Sequence, residues 1–535
     1  MKPVSRESGV GPVGVNRREF LVGTLAAGGG LALASVLPFR SLVSAARAST
    51  HNGTGGPLPG GLDPAFFHLY SETPLTLGTR RSAFGMGVVT PVSRFFVRNN
   101  LPMPPEKIVA DPDSWSIEIE GVRKPRELTL GALKTMGVST ITTVIQCSGN
   151  GRAFFEHKPS GSPWKVGAAG CAIWTGLPVG KLLEAMGGPS SQARYLTGTG
   201  GEEIPDGLDR LELVVERSVP IEKGISDCLL AWEMNGEPIP LIHGGPLRLI
   251  VPGYYGCNQI KYIDKLACTK EQSAAKIQQT GYRMRPIGKA ANSKQPSMWR
   301  MSVTSWLQAP GGKQAPVVTG TTIFHGVAFS GERRLAKIEF SQDGGKHWEP
   351  AKRIGPEMGI NAWHQFYVEV ELGVGRYTLV TRATDDEGDV QPANRYENER
   401  GYGNNSWRDL ALSVVVVESL SDAPTAAAAA PDSPPIAASA PLPDANGVVL
   451  SEQGKAGRQV FMDAKPDCGA CHSLAETGSA GTLGPNFDEL RPAADRTVRS
   501  VTQGVGVMPS YRDTLSTKQI ENLAQFLSEA TARKP

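Results

Sequence analysis

The sequence has no excess of charge of either sign and, after its N-terminal region, no long apolar run. With 55 basic and 52 acidic residues, the formal net charge is only +3, which argues against a nucleic-acid binder. Beyond residue 48, no stretch reaches the roughly 20 apolar residues that a membrane-spanning helix needs. Cysteines are few, seven in 535 residues, so each thiol can be considered individually.

The chain is too long for one hydrophobic core and should divide into several domains. Residues 421–445 contain little besides Ala, Pro, Ser and Asp, a composition that cannot bury a core and predicts an extended tether. We therefore expect a leader over 1–48, an oxidoreductase domain over 60–294, a β-sandwich over 295–418, a linker over 419–446 and a small domain over 447–532.

The N-terminal region has the pattern of a twin-arginine export signal. Arg17 and Arg18 precede a weakly apolar stretch that three glycines interrupt, and "ARA" at 46–48 is a small-x-small cleavage site. A membrane anchor is the alternative, but the apolar stretch is too short for one. We expect cleavage after Ala48 and a periplasmic mature protein without a membrane span.

The large body changes character near residue 295. Before it, strand-like runs such as 247–253 mix with helix-like runs such as 178–187, which predicts a mixed α+β fold. After it, short alternating strands follow one another, with Asp343-Gly344-Gly345 as a hairpin turn. This second part is predicted to be an immunoglobulin-like β-sandwich.

The C-terminal unit carries a Cys-x-x-Cys-His motif, which is typical of covalent c-type haem attachment. Cys468 and Cys471 would form the thioethers and His472 would ligate the iron. Zinc binding would need a second ligand pair, and none lies nearby. Met508, before Pro509, is predicted as the sixth ligand, with Met462 as the rival. We expect an all-α cytochrome c domain.

Cys147, in "IQCSGNGR" at 145–152, is the thiol that decides the function of the large body. It could be a core residue, half of a disulfide, a nucleophile or a metal ligand. Nearby arginines would lower its pKa, and a thiolate is a good ligand for soft metals. Cys171 and Cys228 lie in apolar contexts and are expected to be buried, whereas a disulfide between Cys257 and Cys268 is possible.

Several motifs of the large body occur in the order found in one enzyme family. The motifs are "TPVSRFFVRNNLPMP" (90–104), "IQCSGNGR", Trp164 to Ala168, "AIWTGLPV" (172–179), residues 229–263 and "RATDDEGDVQP" (382–392). Together they resemble the sulfite oxidase family, whose fold is a mixed α/β domain that binds a mononuclear molybdenum–molybdopterin cofactor, followed by an immunoglobulin-like dimerisation domain. With its haem domain, the chain resembles the sulfite:cytochrome c oxidoreductase type.

The resemblance implies a role for each matching position. Cys147 would be the protein ligand of molybdenum. The residues implied to act on substrate are Arg98, Arg152, Trp164 and Arg334, with Arg333 as a competitor for the last position. The residues implied to hold the pterin and its phosphate are Asn99, His243, Arg248 and Lys261.

Two positions depart from the family pattern. Asn100 replaces a pocket histidine, and Val215 stands where a tyrosine is expected. Glu216, Arg217, or one of the tyrosines at 254 and 255 could compensate for the missing tyrosine.

The resemblance implies that a small anionic sulfur compound, sulfite, is oxidised at molybdenum. Single electrons would then leave through the haem to an external cytochrome. A homodimer is expected from the sandwich domain. A sulfane-type dehydrogenase is the nearest alternative, and an electron carrier without molybdenum is the more distant one.

Overall fold

The computed structural model describes residues 58–72, 74–204, 208–311, 316–420, 450–477, 479–481, 484, 486–504 and 508–532. The predicted leader, and the predicted linker from residue 421 onwards, lie outside the described residues. Within the described part of the chain, no helix has the length and apolar character needed to cross a membrane.

The described strands and α-helices alternate in the first half of the chain and separate into an all-β and a helical region afterwards. The strands are β1 (Phe67–Ser71), β2 (Thr76–Thr79), β3 (Val97–Arg98), β4 (Ser116–Glu120), β5 (Arg126–Thr129), β6 (Ser139–Gln146), β7 (Ala169–Pro178), β8 (Tyr195–Gly200), β9 (Glu216–Pro220), β10 (Leu229–Met234), β11 (Glu237–Pro238), β12 (Arg248–Ile250), β13 (Ile263–Thr269), β14 (Thr304–Ala309), β15 (Val317–Val318), β16 (Gly320–Phe329), β17 (Leu335–Ser341), β18 (Glu349–Pro350), β19 (Lys352–Ile354), β20 (His364–Leu372), β21 (Gly375–Asp385), β22 (Leu412–Val417), β23 (Ser473–Leu474) and β24 (Ser479–Ala480). The α-helices are α1 (Lys107–Ala110), α2 (Leu130–Thr135), α3 (Val179–Ala185), α4 (Arg210–Leu213), α5 (Ile221–Ser226), α6 (Glu452–Asp463), α7 (Cys468–Cys471), α8 (Phe487–Leu490), α9 (Ala494–Gln503) and α10 (Thr517–Ala530).

The first domain contains two five-stranded sheets and a small sheet formed by β1, β2 and β3. One large sheet has the order β11-β10-β7-β6 with β12 on β10, and the other has the order β5-β4-β13-β8-β9. Strand β6 forms from the β-branched run "STITTVI", which suits a pleated surface, and pairs along its whole length with β7. The predicted mixed α+β fold is confirmed.

The second domain is a β-sandwich, as predicted. One sheet has the order β14-β16-β20-β19 and the other has the order β15-β22-β21-β17-β18. Alternate residues of both sheets point inwards, so that Phe324, Phe366 and Leu379 are fully buried in a shared core. This domain holds two of the predicted site residues discussed below, Arg333 and Arg334.

The C-terminal domain packs α6 and α10 around a small apolar core. Helix α10 begins with the predicted capping box, in which Ser516 and Gln519 bond to each other's backbone. Its apolar stripe, which includes Ile520, Leu523 and Leu527, is buried. The domain is helical as predicted, with one addition: the two-residue strands β23 and β24 pair beside the haem motif.

Candidate active site

A cavity in the first domain gathers most of the predicted site residues. It encloses about 660 Å³, counting its open mouth. It lies where β3, the end of β6 and the segments before and after β12 converge. The predicted residues that line it are Arg98, Asn99, Cys147, His243, Arg248 and Lys261.

Cys147 directly follows β6 and is presented by a tight, buried turn. Its backbone N–H donates to the carbonyl of Ala168 at 2.8 Å, and its carbonyl accepts from Asn150 at 2.9 Å. Gly151 closes the turn with a φ of 85°, and a Cβ there would lie 2.9 Å from the Cβ of Asn404. The thiol is therefore held in a fixed position at the cavity wall.

The structure also places the other thiols. None of the seven cysteines forms a disulfide, so the possible disulfide between Cys257 and Cys268 is absent. Cys257 lines the cavity and accepts a hydrogen bond from Ser148 at 3.3 Å, whereas Cys268 lies on β13 and packs into the core. Cys171 and Cys228 are buried as predicted.

Besides Cys147, the cavity lining contains a network of basic and amide groups. Lys261 Nζ donates to Asn99 Oδ1 at 2.7 Å and to the carbonyl of Ile242 at 2.8 Å. Arg248 Nη1 donates to the carbonyl of His243 at 2.7 Å. These contacts orient the side chains, and Arg248 Nε is left buried without a partner among the described residues.

Burial of so many basic groups perturbs their titration. Burial, reinforced by the charges of Lys261 and Arg248, lowers the pKa of His243 to about 3. Burial also lowers the pKa of Arg248 to about 10 and that of Lys261 well below its usual value. Cationic groups buried together at this cost fit an anionic ligand such as a phosphate, which would stabilise their charged forms.

Glu202 is a cavity residue that the sequence reasoning missed. Its Oε2 is buried without a hydrogen-bond partner in the described part of the chain, and burial raises its pKa to about 7 despite the opposing charge of Lys261. An acid in the lining of a basic cavity fits a ligand that carries N–H donors as well as an anion. A pterin with a phosphate has both, so the donor set of Cys147, Glu202 and the basic network fits a molybdenum–molybdopterin cofactor.

Arg98 provides a free cationic group near the thiol. It lies on β3, pairs through the backbone with Thr76 of β2, and leaves its Nη1 buried without a partner among the described residues. Phe95, Phe96 and Ile145 line the same cavity and exclude water from it. A guanidinium in such surroundings can bind an oxyanion strongly.

Arg152 and Trp164 support the cavity from behind and do not line it. Arg152 is buried under the Cys147 turn, where Nε donates to the carbonyl of Arg400 at 2.9 Å and Nη1 to that of Ser162 at 3.0 Å. Trp164 is completely buried in the same apolar cluster as Cys147. The sequence predicts that Arg152 and Trp164 contact the substrate. This stays a prediction, and the position of both side chains behind the cavity lining does not favour it.

The expectation for a third arginine from the sandwich domain is corrected. The side chain of Arg334 is 65% exposed and pairs with Glu357 at 3.0 Å, while Arg333 pairs with Asp385, Glu387 and Asp389. Neither lines the cavity, because local carboxylates of the sandwich hold both guanidinium groups.

Both residues that depart from the family pattern, Asn100 and Val215, do line the cavity. None of the suggested substitutes for the missing tyrosine lines it: Glu216 accepts from Thr199 and Ser273, and Arg217 donates to Ile277, Asn258 and Ser297. The tyrosines at 254 and 255 pack elsewhere in the core. Tyr282 lines the cavity instead, and no local pattern around it signals this.

The haem motif forms a compact structure of its own. Helix α7 carries both thiols, and Asp467 caps its first turn by accepting from Gly469 at 2.7 Å. The ring of His472 stacks on Phe487 with centroids 4.2 Å apart, and a Cβ on Gly484 would collide with that ring. Adjacent thiols, a histidine and an apolar cluster fit a covalent haem.

The structure does not separate the two candidates for the sixth haem ligand. Met508 and Met462 both pack, partly buried, against the apolar cluster that also contacts Cys468. The assignment of Met508 stays a prediction.

Three protein-family models match consecutive parts of the chain. An oxidoreductase molybdopterin-binding domain matches residues 101–277, a Mo-co oxidoreductase dimerisation domain matches 295–415, and cytochrome c oxidase, cbb3-type, subunit III matches 452–527. The cofactors of the chain are therefore molybdopterin with molybdenum and a c-type haem.

Individual relatives agree with these domains. Sulfite oxidase of Arabidopsis thaliana is 30% identical over 371 residues, which are 64% of this chain and 92% of that protein. Mitochondrial sulfite oxidase of Homo sapiens is 29% identical over 340 residues, 60% of each chain, so the match spans somewhat less than two thirds of the human protein. The crystal structure of the sulfane dehydrogenase SoxCD from Paracoccus pantotrophus superposes with a TM-score of 0.55 at 22% identity, covering 76% of this chain and 100% of that one. At this identity it supports the fold alone.

Proposed function

This chain belongs to the sulfite oxidase family, and we propose that it oxidises sulfite to sulfate and delivers the electrons to its own haem. The overall reaction consumes one water and releases two protons and two electrons. When bound, the molybdenum cofactor supplies the two-electron oxidation and the oxygen transfer. The observation that carries the proposal is one cavity in which a fixed thiol, a free guanidinium and a basic network converge.

Arg98 would bind the anion. Its unpartnered Nη1 can donate a charge-assisted hydrogen bond to a sulfite oxygen, and such bonds are about twice as strong as neutral ones. The aromatic wall of Phe95 and Phe96 lowers the local dielectric and so strengthens this contact. The residue thus orients the substrate beside Cys147, which holds the metal.

The electrons would leave through the haem domain, one at a time, to an external cytochrome. Strand β24, next to the haem motif, contacts β1 of the first domain. The side chain of Lys276 in the first domain lies within electrostatic range of Cys471. Lys276 precedes the turn that leads to Tyr282 in the cavity, so the haem motif lies beside a segment that reaches the active site.

The cellular setting is part of the same proposal. Arg17, Arg18 and the "ARA" site at 46–48 support export through the twin-arginine route into the periplasm. The route transports folded proteins, which suits a chain that receives its cofactors before export. The match to a dimerisation domain supports a homodimer.

The test is reduction of the haem by candidate substrates. Anaerobic addition of sulfite to the purified, oxidised holoenzyme is expected to develop the reduced haem α-band, with about one molybdenum per haem by metal analysis. Dithionite, which reduces the haem directly, is the control for a functional haem. Reduction by thiosulfate, a compound with a sulfane sulfur, but not by sulfite would favour the sulfane-type alternative, and haem without molybdenum would favour an electron carrier.

A further inference from the structure

Asn100 and Tyr282 are two polar residues of the cavity that the binding of the cofactor does not explain. Tyr282 follows a π-helical turn formed by Ile277–Gly281. Its hydroxyl donates to Asn100 Oδ1 at 3.4 Å, and both side chains line the cavity with Arg98 and Cys147.

The Tyr282 hydroxyl is only weakly satisfied. Hydrogen bonds between a hydroxyl and an oxygen normally measure 2.5–3.0 Å between heavy atoms, so the 3.4 Å contact with Asn100 is long. Burial raises the pKa of Tyr282, which the charge of Arg98 opposes and Cys147 reinforces. The phenol therefore remains protonated at neutral pH and can donate to a better acceptor.

The Tyr282 ring, in contrast, is firmly held. It stacks on Tyr402 with centroids 5.5 Å apart and planes at 29°, and the guanidinium of Arg217 lies 5.6 Å from its centroid. Arg217 is itself fixed, because Nη1 donates to the carbonyl of Ile277 at 2.9 Å. A rigid ring with a loosely bonded hydroxyl is a preorganised hydrogen-bond donor.

We propose that Tyr282 donates a hydrogen bond to an oxygen of the bound sulfur oxyanion, and that Asn100 is the positioning residue for its hydroxyl. Arg98 and Tyr282 would then hold two oxygens of the anion, while Val215 contributes only apolar surface. On binding, the hydroxyl exchanges its long hydrogen bond to Asn100 for one to the anion, and no covalent bond is broken. The inference rests on the proposed function, because it takes the occupant of the cavity to be a sulfur oxyanion.

The decisive variant is Tyr282→Phe in the full-length holoenzyme, because it keeps the stacked ring and removes only the hydroxyl. Losing a hydrogen bond to a charged group is expected to raise KM for sulfite about 10- to 100-fold, with a smaller change in kcat. The affinity for sulfate, measured by titration calorimetry, should fall by a similar factor. Tyr377→Phe is the matched control, since its hydroxyl bonds to the carbonyl of Gly373 on the sandwich.

The positioning role is tested by Asn100→Ala, alone and combined with Tyr282→Phe. Asn100→Ala alone removes the acceptor that competes with the anion for the hydroxyl proton, so it should tighten sulfate binding, by a smaller factor than that by which Tyr282→Phe weakens it. Because Asn100 acts through the hydroxyl, the double variant should bind sulfate no more weakly than Tyr282→Phe alone. The same change in sulfate affinity on adding Asn100→Ala to either background would overturn the positioning role.

Each remaining outcome also decides the inference. If Tyr282→Phe behaves like Tyr377→Phe in both KM and sulfate affinity, or if its molybdenum-to-haem ratio falls, the hydroxyl does not act on substrate and the inference is wrong. If the unmodified holoenzyme does not oxidise sulfite but binds sulfate, and Tyr282→Phe weakens that binding, the proposed function fails while the role of Tyr282 stands.

Discussion

The two cofactor sites of this chain are built in opposite ways. The molybdopterin cavity takes its lining from segments between Phe95 and Tyr282, whereas the haem motif needs only the run from Cys468 to His472. The cavity is rich in buried cationic groups, and Arg98 and Arg248 each have a guanidinium nitrogen without a partner among the described residues, whereas the haem motif packs against an apolar cluster.

The difference shows how each site obtains its chemistry. In the haem domain, spacing along one helical turn brings two thiols and a histidine together, so local geometry is sufficient. In the cavity, Cys147 follows one sheet strand, Arg98 belongs to a different sheet, and Lys261 is held by the carbonyl of Ile242. Such a site exists only when the whole domain is folded, and it is stabilised by the ligand that neutralises it.

The variant expected to have the largest effect is Cys147→Ser, which tests whether the two cofactor sites are independent of each other. Serine is a poor ligand for a soft metal, so we expect turnover with sulfite to be abolished while the haem spectrum is unchanged. Activity assays and the molybdenum-to-haem ratio measure the two sites separately. Cys171→Ala, which alters a buried thiol on β7 outside the cavity lining, is the control and should retain molybdenum. Substantial sulfite oxidation by Cys147→Ser would contradict the metal-ligand role.

The converse change is Met508→Ala at the haem. Loss of a thioether ligand should lower the haem potential by on the order of 0.1 V or more, within the ~0.8 V range that axial ligands span. Molybdenum content should not change. Redox titration of Met508→Ala and Met462→Ala in parallel identifies the ligand, and a lowered potential in Met462→Ala alone would reverse the assignment.

The smallest expected effect is the pH dependence that buried His243 confers on the first domain. Its pKa is lowered to about 3 in the fold, against about 6.5 when unfolded, so the unfolded chain takes up the proton first as the pH falls. Stability is therefore lost as the pH decreases below 6.5. Between pH 7 and pH 5, the free energy of unfolding of the unmodified protein should fall by about 2 kcal/mol more than that of His243→Asn.

Urea unfolding of molybdenum-free protein measures this difference. The nine tryptophans all lie between 115 and 407, so their fluorescence reports the large body and not the haem domain. If the free energy of unfolding had the same pH dependence in the unmodified protein and in His243→Asn, His243 would not be buried in its neutral form.

Much of the fold and part of the site could be predicted from the sequence. The haem motif, the sandwich and the capped helix α10 each depend on residues close together in the chain, and all three are confirmed. The lining positions of Cys147, Asn99, His243, Arg248 and Lys261 followed from the family resemblance. Glu202 and Tyr282 were missed because neither belongs to a local pattern, and Arg334 was misplaced because its partner, Glu357, lies 23 residues away.

By itself, the sequence determined the kinds of cofactor, through a five-residue haem motif and an ordered set of motifs around one cysteine. Only the tertiary structure decided which side chains face the cavity. Arg152 and Arg217 carry the same guanidinium group as Arg98, yet neither lines the cavity and backbone carbonyls engage both. The physical reason is that the local sequence specifies the residue types, whereas packing decides which polar atoms are satisfied internally and which remain for a ligand.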